Sequence, residues 1–144
     1  MTLVELLVVL GIIGLVVGIS VPALTGFTKQ VRLKTAIRQV AGLVSLARST
    51  AISSHEDQAV VINPERREIS VVGVTSGDAL EQAVRLPSSV TVQVMVGGQP
   101  ATHTQFVFRS SGSLNGRSVT LVLADHERQH TITINGTTGS VSVQ

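Results

Sequence analysis

From Leu6 to Ile19 every residue is apolar or Gly. Adding Met1 to Val4 and Val21 brings this stretch to roughly the 20 residues that cross a bilayer as a helix. A cleaved secretory signal would open with positive charge, whereas this segment has none and carries Glu5 in that place. A buried core helix is the other ordinary reading. A helix apolar on every face, however, needs surroundings larger than a 144-residue chain supplies. Hydrocarbon or neighbouring copies of the helix must provide them.

Glu5 is the only charged side chain before Lys29. A carboxylate in apolar surroundings costs several kcal/mol unless neutralised or paired. Two readings remain: Glu5 rests at the lipid headgroup level, or it pairs with the free amine at residue 1 of an adjacent helix and thereby sets the stagger between subunits. Gly11, Gly14 and Gly18 fall at three- and four-residue spacing, which lets helix backbones approach closely in apolar surroundings. With Pro22 they also lower helix propensity, so residues 11 to 22 are expected to kink or unwind locally.

Beyond Pro22 the pattern becomes amphipathic. Leu24, Phe27, Val31, Ile37, Val40, Val44, Ala47 and Ala51 fall near one stripe, with Lys29, Arg32, Arg38 and Arg48 mostly elsewhere. One helix from residue 2 to about 53 is predicted. After Ser54 the period changes to alternation, giving strands at 58–63, 68–74, 89–96, 104–109, 117–124, 130–135 and 140–143, with a less defined piece at 79–86. Asn63-Pro64, Gly97-Gly98-Gln99-Pro100, Ser111-Gly112, Asn115-Gly116 and Asn135-Gly136 supply the turns of a β-meander. Val119, Leu121 and Leu123 share the face expected to cover the helix stripe. The fold class is α+β: a long N-terminal helix, membrane-spanning in its first half and amphipathic in its second, packed on an antiparallel β-sheet head. Its divisions are residues 1–23 as transmembrane or filament-core segment and 24–144 as head, including amphipathic helix 24–53.

Catalysis has little footing. Cysteine is absent, as are a Gly-x-Ser-x-Gly elbow and a phosphate loop ending in Gly-Lys-Ser/Thr. No enzyme, cofactor or metal site is expected: His126 and His130 with Asp125 and Glu127 fall at a turn between strands, where four-residue spacing does not converge ligands. Trp and Tyr are also absent, which removes the usual stacking platforms for bases and sugars. The net charge is only +2, yet Lys29, Arg32, Lys34, Arg38 and Arg48 all precede the next acid, Glu56. Lys29, Arg32, Lys34 and Arg38, together with Arg109, Arg117 and Arg128, are candidate contacts for nucleic acid or an acidic partner.

The run Met1-Thr2-Leu3-Val4-Glu5-Leu6-Leu7-Val8-Val9-Leu10 with Pro22 resembles the mature N-terminus of type IV pilins and type II secretion pseudopilins, although Met stands where that family usually has Phe. The resemblance implies a leader removed by a prepilin peptidase just before residue 1, and methylation of the new amine on Met1. It also implies assembly roles for Leu3 and Glu5, and a bend at Pro22. Ala47-Arg48-Ser49-Thr50-Ala51-Ile52, Phe106-Val107-Phe108 and Thr138-Gly139-Ser140-Val141-Ser142-Val143 resemble the H-type pseudopilins and the FimT/FimU minor pilins.

The implied function is that of a structural filament subunit, at the tip or in priming assembly, acting in protein secretion. A DNA-binding minor pilin is the alternative, although the last basic residue here is Arg128 and the terminal strand has none. The implied partners are other pilin subunits, and the inner membrane before assembly. The implied location is a single-pass inner-membrane protein with its head in the periplasm, and later a periplasmic or extracellular filament.

Overall fold

The computed structural model describes residues 2–77, 79–101 and 105–144, and the side chains of 19–30 and 79–81 lie outside the described part. Met1 and His103, and the side chains of Pro22, Leu24, Phe27 and Lys29, therefore fall outside it. One helix, α1, spans Leu3–Ser54. Its backbone is assigned as helix throughout residues 11 to 22, so the expected local unwinding does not occur in the single chain. The chain divides into two compact units, Met1–Arg32 and Leu33–Gln144.

In the second unit the helix ends at Ser54, followed by His55 in the left-handed region (φ 55°), which turns the backbone out of the helix. Among the described residues nine strands follow: β1 Gln58–Asn63, β2 Glu68–Gly73, β3 Ala79–Arg85, β4 Thr91–Val96, β5 Gln99–Pro100, β6 Gln105–Phe108, β7 Val119–Ala124, β8 Gln129–Ile134 and β9 Val141–Val143. They form two antiparallel sheets, ordered β3-β2-β1-β6 and β5-β4-β7-β8-β9. This corrects the single meander expected from the sequence. The chain leaves the second sheet after β5, places β6 beside β1, and returns so that β7 pairs with β4. Alternation reports which face of a strand is apolar but not which strand it will sit beside.

Alternating residues of both sheets meet the helix in one core. Val60, Ile62, Ile69, Val71, Phe108, Leu121, Leu123, Ile132 and Ile134 are buried together with Leu33, Ala36, Ile37, Val40, Leu43, Val44, Ala47 and Ala51. The face of Val119, Leu121 and Leu123 thus lies in the core shared with the helix, as its pattern predicted. Phe106 and Phe108 meet edge to face with ring centroids 5.9 Å apart. The buried helix stripe differs from the predicted one at its start: Val31 is exposed, while Leu33, Ala36 and Leu43 join the core.

Turn chemistry differs in one place. At the β8–β9 connection the positive φ belongs to Gly139, not Gly136. Gly136 is instead pressed against the backbone of Arg117, where an added Cβ would come within 2.5 Å of it.

Candidate assembly surface

The first unit has an unusual surface. Leu3, Val4, Leu6, Leu7, Val8, Val9, Leu10, Ile12, Ile13, Leu15, Val16 and Val17 are all exposed, Leu3 at 78%. Among the described residues no helix is long and apolar enough to cross a membrane. The described side chains of the apolar run end at Gly18, short of the roughly 20 residues a span needs. Gly11, Gly14 and Gly18 lie within about 60° of one another around the axis at 100° per residue, and so share one face. An added Cβ at any of the three meets nothing within 4 Å. Nothing within the described chain requires glycine there.

Glu5 caps its own helix. Its Oε2 accepts the backbone N–H of Thr2 at 3.3 Å, while Thr2 Oγ1 accepts the N–H of Glu5 at 3.3 Å. The carbonyl of Thr2 accepts the N–H of Leu6 at 3.2 Å, the first helical bond. This is a capping box, Thr-x-x-Glu, which satisfies two of the donors that any helix start leaves open. The sequence contains that signature, but its apolar neighbours drew attention to intermolecular pairing instead. Capping engages one oxygen of a carboxylate that has two.

The structure sets some of the candidate basic residues apart from one another. Arg32, Lys34 and Arg38 are exposed on α1. Arg109 donates through Nη2 to Asn115 Oδ1 at 2.6 Å. Arg117 precedes β7 while Arg128 lies beyond its far end, so the β7–β8 hairpin holds them apart. Asp125 is engaged within its turn. Its Oδ1 accepts the N–H groups of Glu127 at 2.9 Å and Arg128 at 2.8 Å, and the Glu127 bond leads in holding this carboxyl below its ordinary value.

Sequence reasoning missed the role of Arg48. From the flank of α1 its Nε donates to the carbonyl of Gly112 at 3.1 Å and its Nη2 to the carbonyl of Thr138 at 2.9 Å. One guanidinium thus joins the helix to two loops far along the chain. Both loops turn on glycines with positive φ, Gly112 at 80° and Gly139 at 67°. An added Cβ on Gly112 would strike Ile52, and one on Gly139 would strike the carbonyl of Gly112. The turn residues were visible in the sequence; nothing in it joined them to a helix arginine.

At the helix C-terminus, Glu56 Oε1 accepts the N–H groups of Thr75 at 2.9 Å and Ser76 at 2.6 Å. The Ser76 bond leads in holding this carboxyl below its ordinary value. Asp57 Oδ1 accepts the N–H of Ser110 at 2.8 Å. These acids fasten the β2–β3 and β6–β7 connections to the start of the first sheet.

A profile of the type II transport protein GspH matches residues 36–138, most of the chain. The chain belongs to the GspH family. The match covers the packed helix from Ala36 and strands β1 to β8, and is independent of the N-terminal motif. No curated protein is similar enough in sequence to match. Solved structures similar in fold to this GspH-family chain include a minor pilin and a minor pseudopilin. One is the type IV minor pilin FimU of Pseudomonas aeruginosa, with a TM-score of 0.67 at 16% identity, covering 82% of this chain and 92% of that one. The other is the minor pseudopilin EpsH of the Vibrio cholerae type 2 secretion system, with a TM-score of 0.63 at 18% identity, covering 78% and 96%. The architecture of a helix packed on antiparallel sheets is common to all three.

Proposed function

We propose that this GspH-family chain is a minor subunit of a type II secretion pseudopilus or a type IV pilus-like filament, with a non-catalytic role at the tip or in priming assembly. The observation that carries the reading is the joining of a well-packed GspH head to a helix whose residues 3–18 expose apolar side chains on every face. Such a surface is stable only in hydrocarbon or among similar helices. The segment is read as resting in the inner membrane with the head in the periplasm, after a prepilin peptidase has freed the amine of residue 1. It then moves into a filament, where the glycine face admits a neighbouring helix. Glu5, while capping its own helix, offers its carboxylate to the terminal amine of an adjacent subunit.

DNA uptake draws no comparable support, because Arg109 is bonded to Asn115 and the β7–β8 hairpin separates Arg117 from Arg128.

Glu5→Ala tests the reading. Membrane insertion of the full chain is expected to persist, since the apolar run is intact, while its incorporation into fibres at endogenous expression falls. Assembly of the variant at the wild-type level would refute the role given to this carboxylate.

A further inference from the structure

Beside the helix lies a groove of about 860 Å³, lined on one side by Gln39, Gly42, Leu43 and Leu46 and on the other by Gln82, Ala83, Val84 and Arg85. Successive side chains of a strand point to opposite faces, so a groove lined by four residues in a row runs along the strand's edge. That strand, β3, is the end of its sheet and, among the described residues, pairs only with β2.

The register tells which backbone groups face the groove. Arg85 lies opposite Glu68, Val84 opposite Ile69 and Ala83 opposite Ser70. Just beyond, the N–H of Leu86 donates to the carbonyl of Arg67 at 2.7 Å. In an antiparallel ladder, bonded and non-bonded pairs alternate, so Leu86 and Val84 bond inward to β2. Ala83 and Arg85 direct their N–H and carbonyl groups away from β2, towards the groove. Two donors and two acceptors repeated at a two-residue interval match the backbone of one more extended strand.

The walls favour an acidic one. The Arg85 side chain is 82% exposed and its contact with Glu68 is long, at 3.8 Å. Arg38 and Lys34 are exposed on the adjoining helix. On the helix wall Gly42 leaves room, since an added Cβ there meets nothing within 4 Å.

We infer that the edge of β3 is a strand-addition site, which takes an extended segment of a neighbouring filament subunit with an acidic side chain against Arg85. This rests on the proposed filament function. It adds to that function a contact made by the head, distinct from the apolar residues 3–18.

The test compares the full chain in purified fibres with the same chain in detergent, by residue-resolved hydrogen exchange. The amides of Ala83 and Arg85 should slow in fibres. Ala83→Pro removes an outward donor, a change that edge strands tolerate, and should lower incorporation about tenfold, the loss of one good backbone bond. Gly42→Leu fills the groove from the helix side, where folding is not engaged, and should act in the same direction. Arg85→Glu should also lower incorporation, while Arg85→Lys retains it. Unchanged exchange at Ala83 and Arg85 in fibres that contain the chain would overturn this inference and leave the filament function standing. Absence of the chain from fibres would remove both. Wild-type incorporation of Gly42→Leu and Arg85→Glu would dismiss the strand site, whatever the behaviour of Ala83→Pro.

Discussion

Residues 3–18 and residues 33–144 solve the problem of apolar surface in opposite ways. In the head, Phe108, Leu121, Ile132 and Val40 are wholly buried, and each is covered by residues of the same chain. In the N-terminal segment, side chains of the same chemistry stand exposed, with Ile12 at 59%. The head completes its own core, whereas the segment leaves its apolar side chains uncovered by the chain and, in the proposed function, is one side of a core that other molecules complete. Substitutions in the two regions should therefore appear in different assays.

The sharpest contrast is between Phe108→Ala and Ile12→Ala. The first removes a fully buried ring and should cost about 3–5 kcal/mol of head stability, read by chemical denaturation. The second should leave the stability of the head within about 0.5 kcal/mol while reducing fibre incorporation. Equal loss of head stability in both would break the division.

Glycines give a second contrast. Gly139→Ala drives a Cβ into the carbonyl of Gly112 at a φ of 67° and should destabilise the head by about 3 kcal/mol. Gly14→Ala meets nothing in the chain and should raise local helix propensity by about 1 kcal/mol. If the glycine face serves packing between subunits, the same change should nonetheless impair assembly. Arg48→Ala comes next in size. Losing two charge-assisted bonds to the Gly112 and Thr138 carbonyls should cost about 2 kcal/mol. Faster hydrogen exchange confined to the loops at 109–118 and 135–140 would localise the loss.

The smallest effect is a pH dependence. Glu56 ionises below its ordinary value of 4.5 because Ser76 and Thr75 donate to it. Its folded value is depressed, so its contribution is present above 4.5 and is lost as pH falls through the lower folded value. Asp125 behaves likewise from an ordinary value of 3.8. In thermal melts of the head, Glu56→Gln should lower the neutral plateau slightly and flatten the acid limb, so that the difference from the unaltered head shrinks as pH falls. An equal loss at pH 7 and pH 3 would contradict this.

Much of the architecture was legible because it follows from period. The helix expected over residues 2 to 53 is observed over Leu3–Ser54, and the change to alternation after Ser54 locates β1 and β2 closely. Strand partners were not legible. Nothing in the alternation of β6 says that Phe106 belongs beside Val60, in a sheet the chain had left. The helix stripe was misjudged at Val31 because apolar character alone does not reveal where the head begins to cover the helix. At the candidate site, Glu5 stood out as a lone acid, but its capping of Thr2 was overshadowed by the apolar residues around it. The free edge of β3 could not be read at all, since an unpaired edge is a property of neighbours and not of residues.

One consequence concerns the uniform coat of residues 3–18. Beyond Glu5, branched apolar side chains of similar size surround that helix, so its apolar stretch would have little preferred azimuth if it turned about its own axis in a fluid host. The strip at Gly11, Gly14 and Gly18 is a notch in that coat. In the proposed filament it would act as a keyway, and a sister helix entering it would fix an angle that the greasy perimeter leaves free.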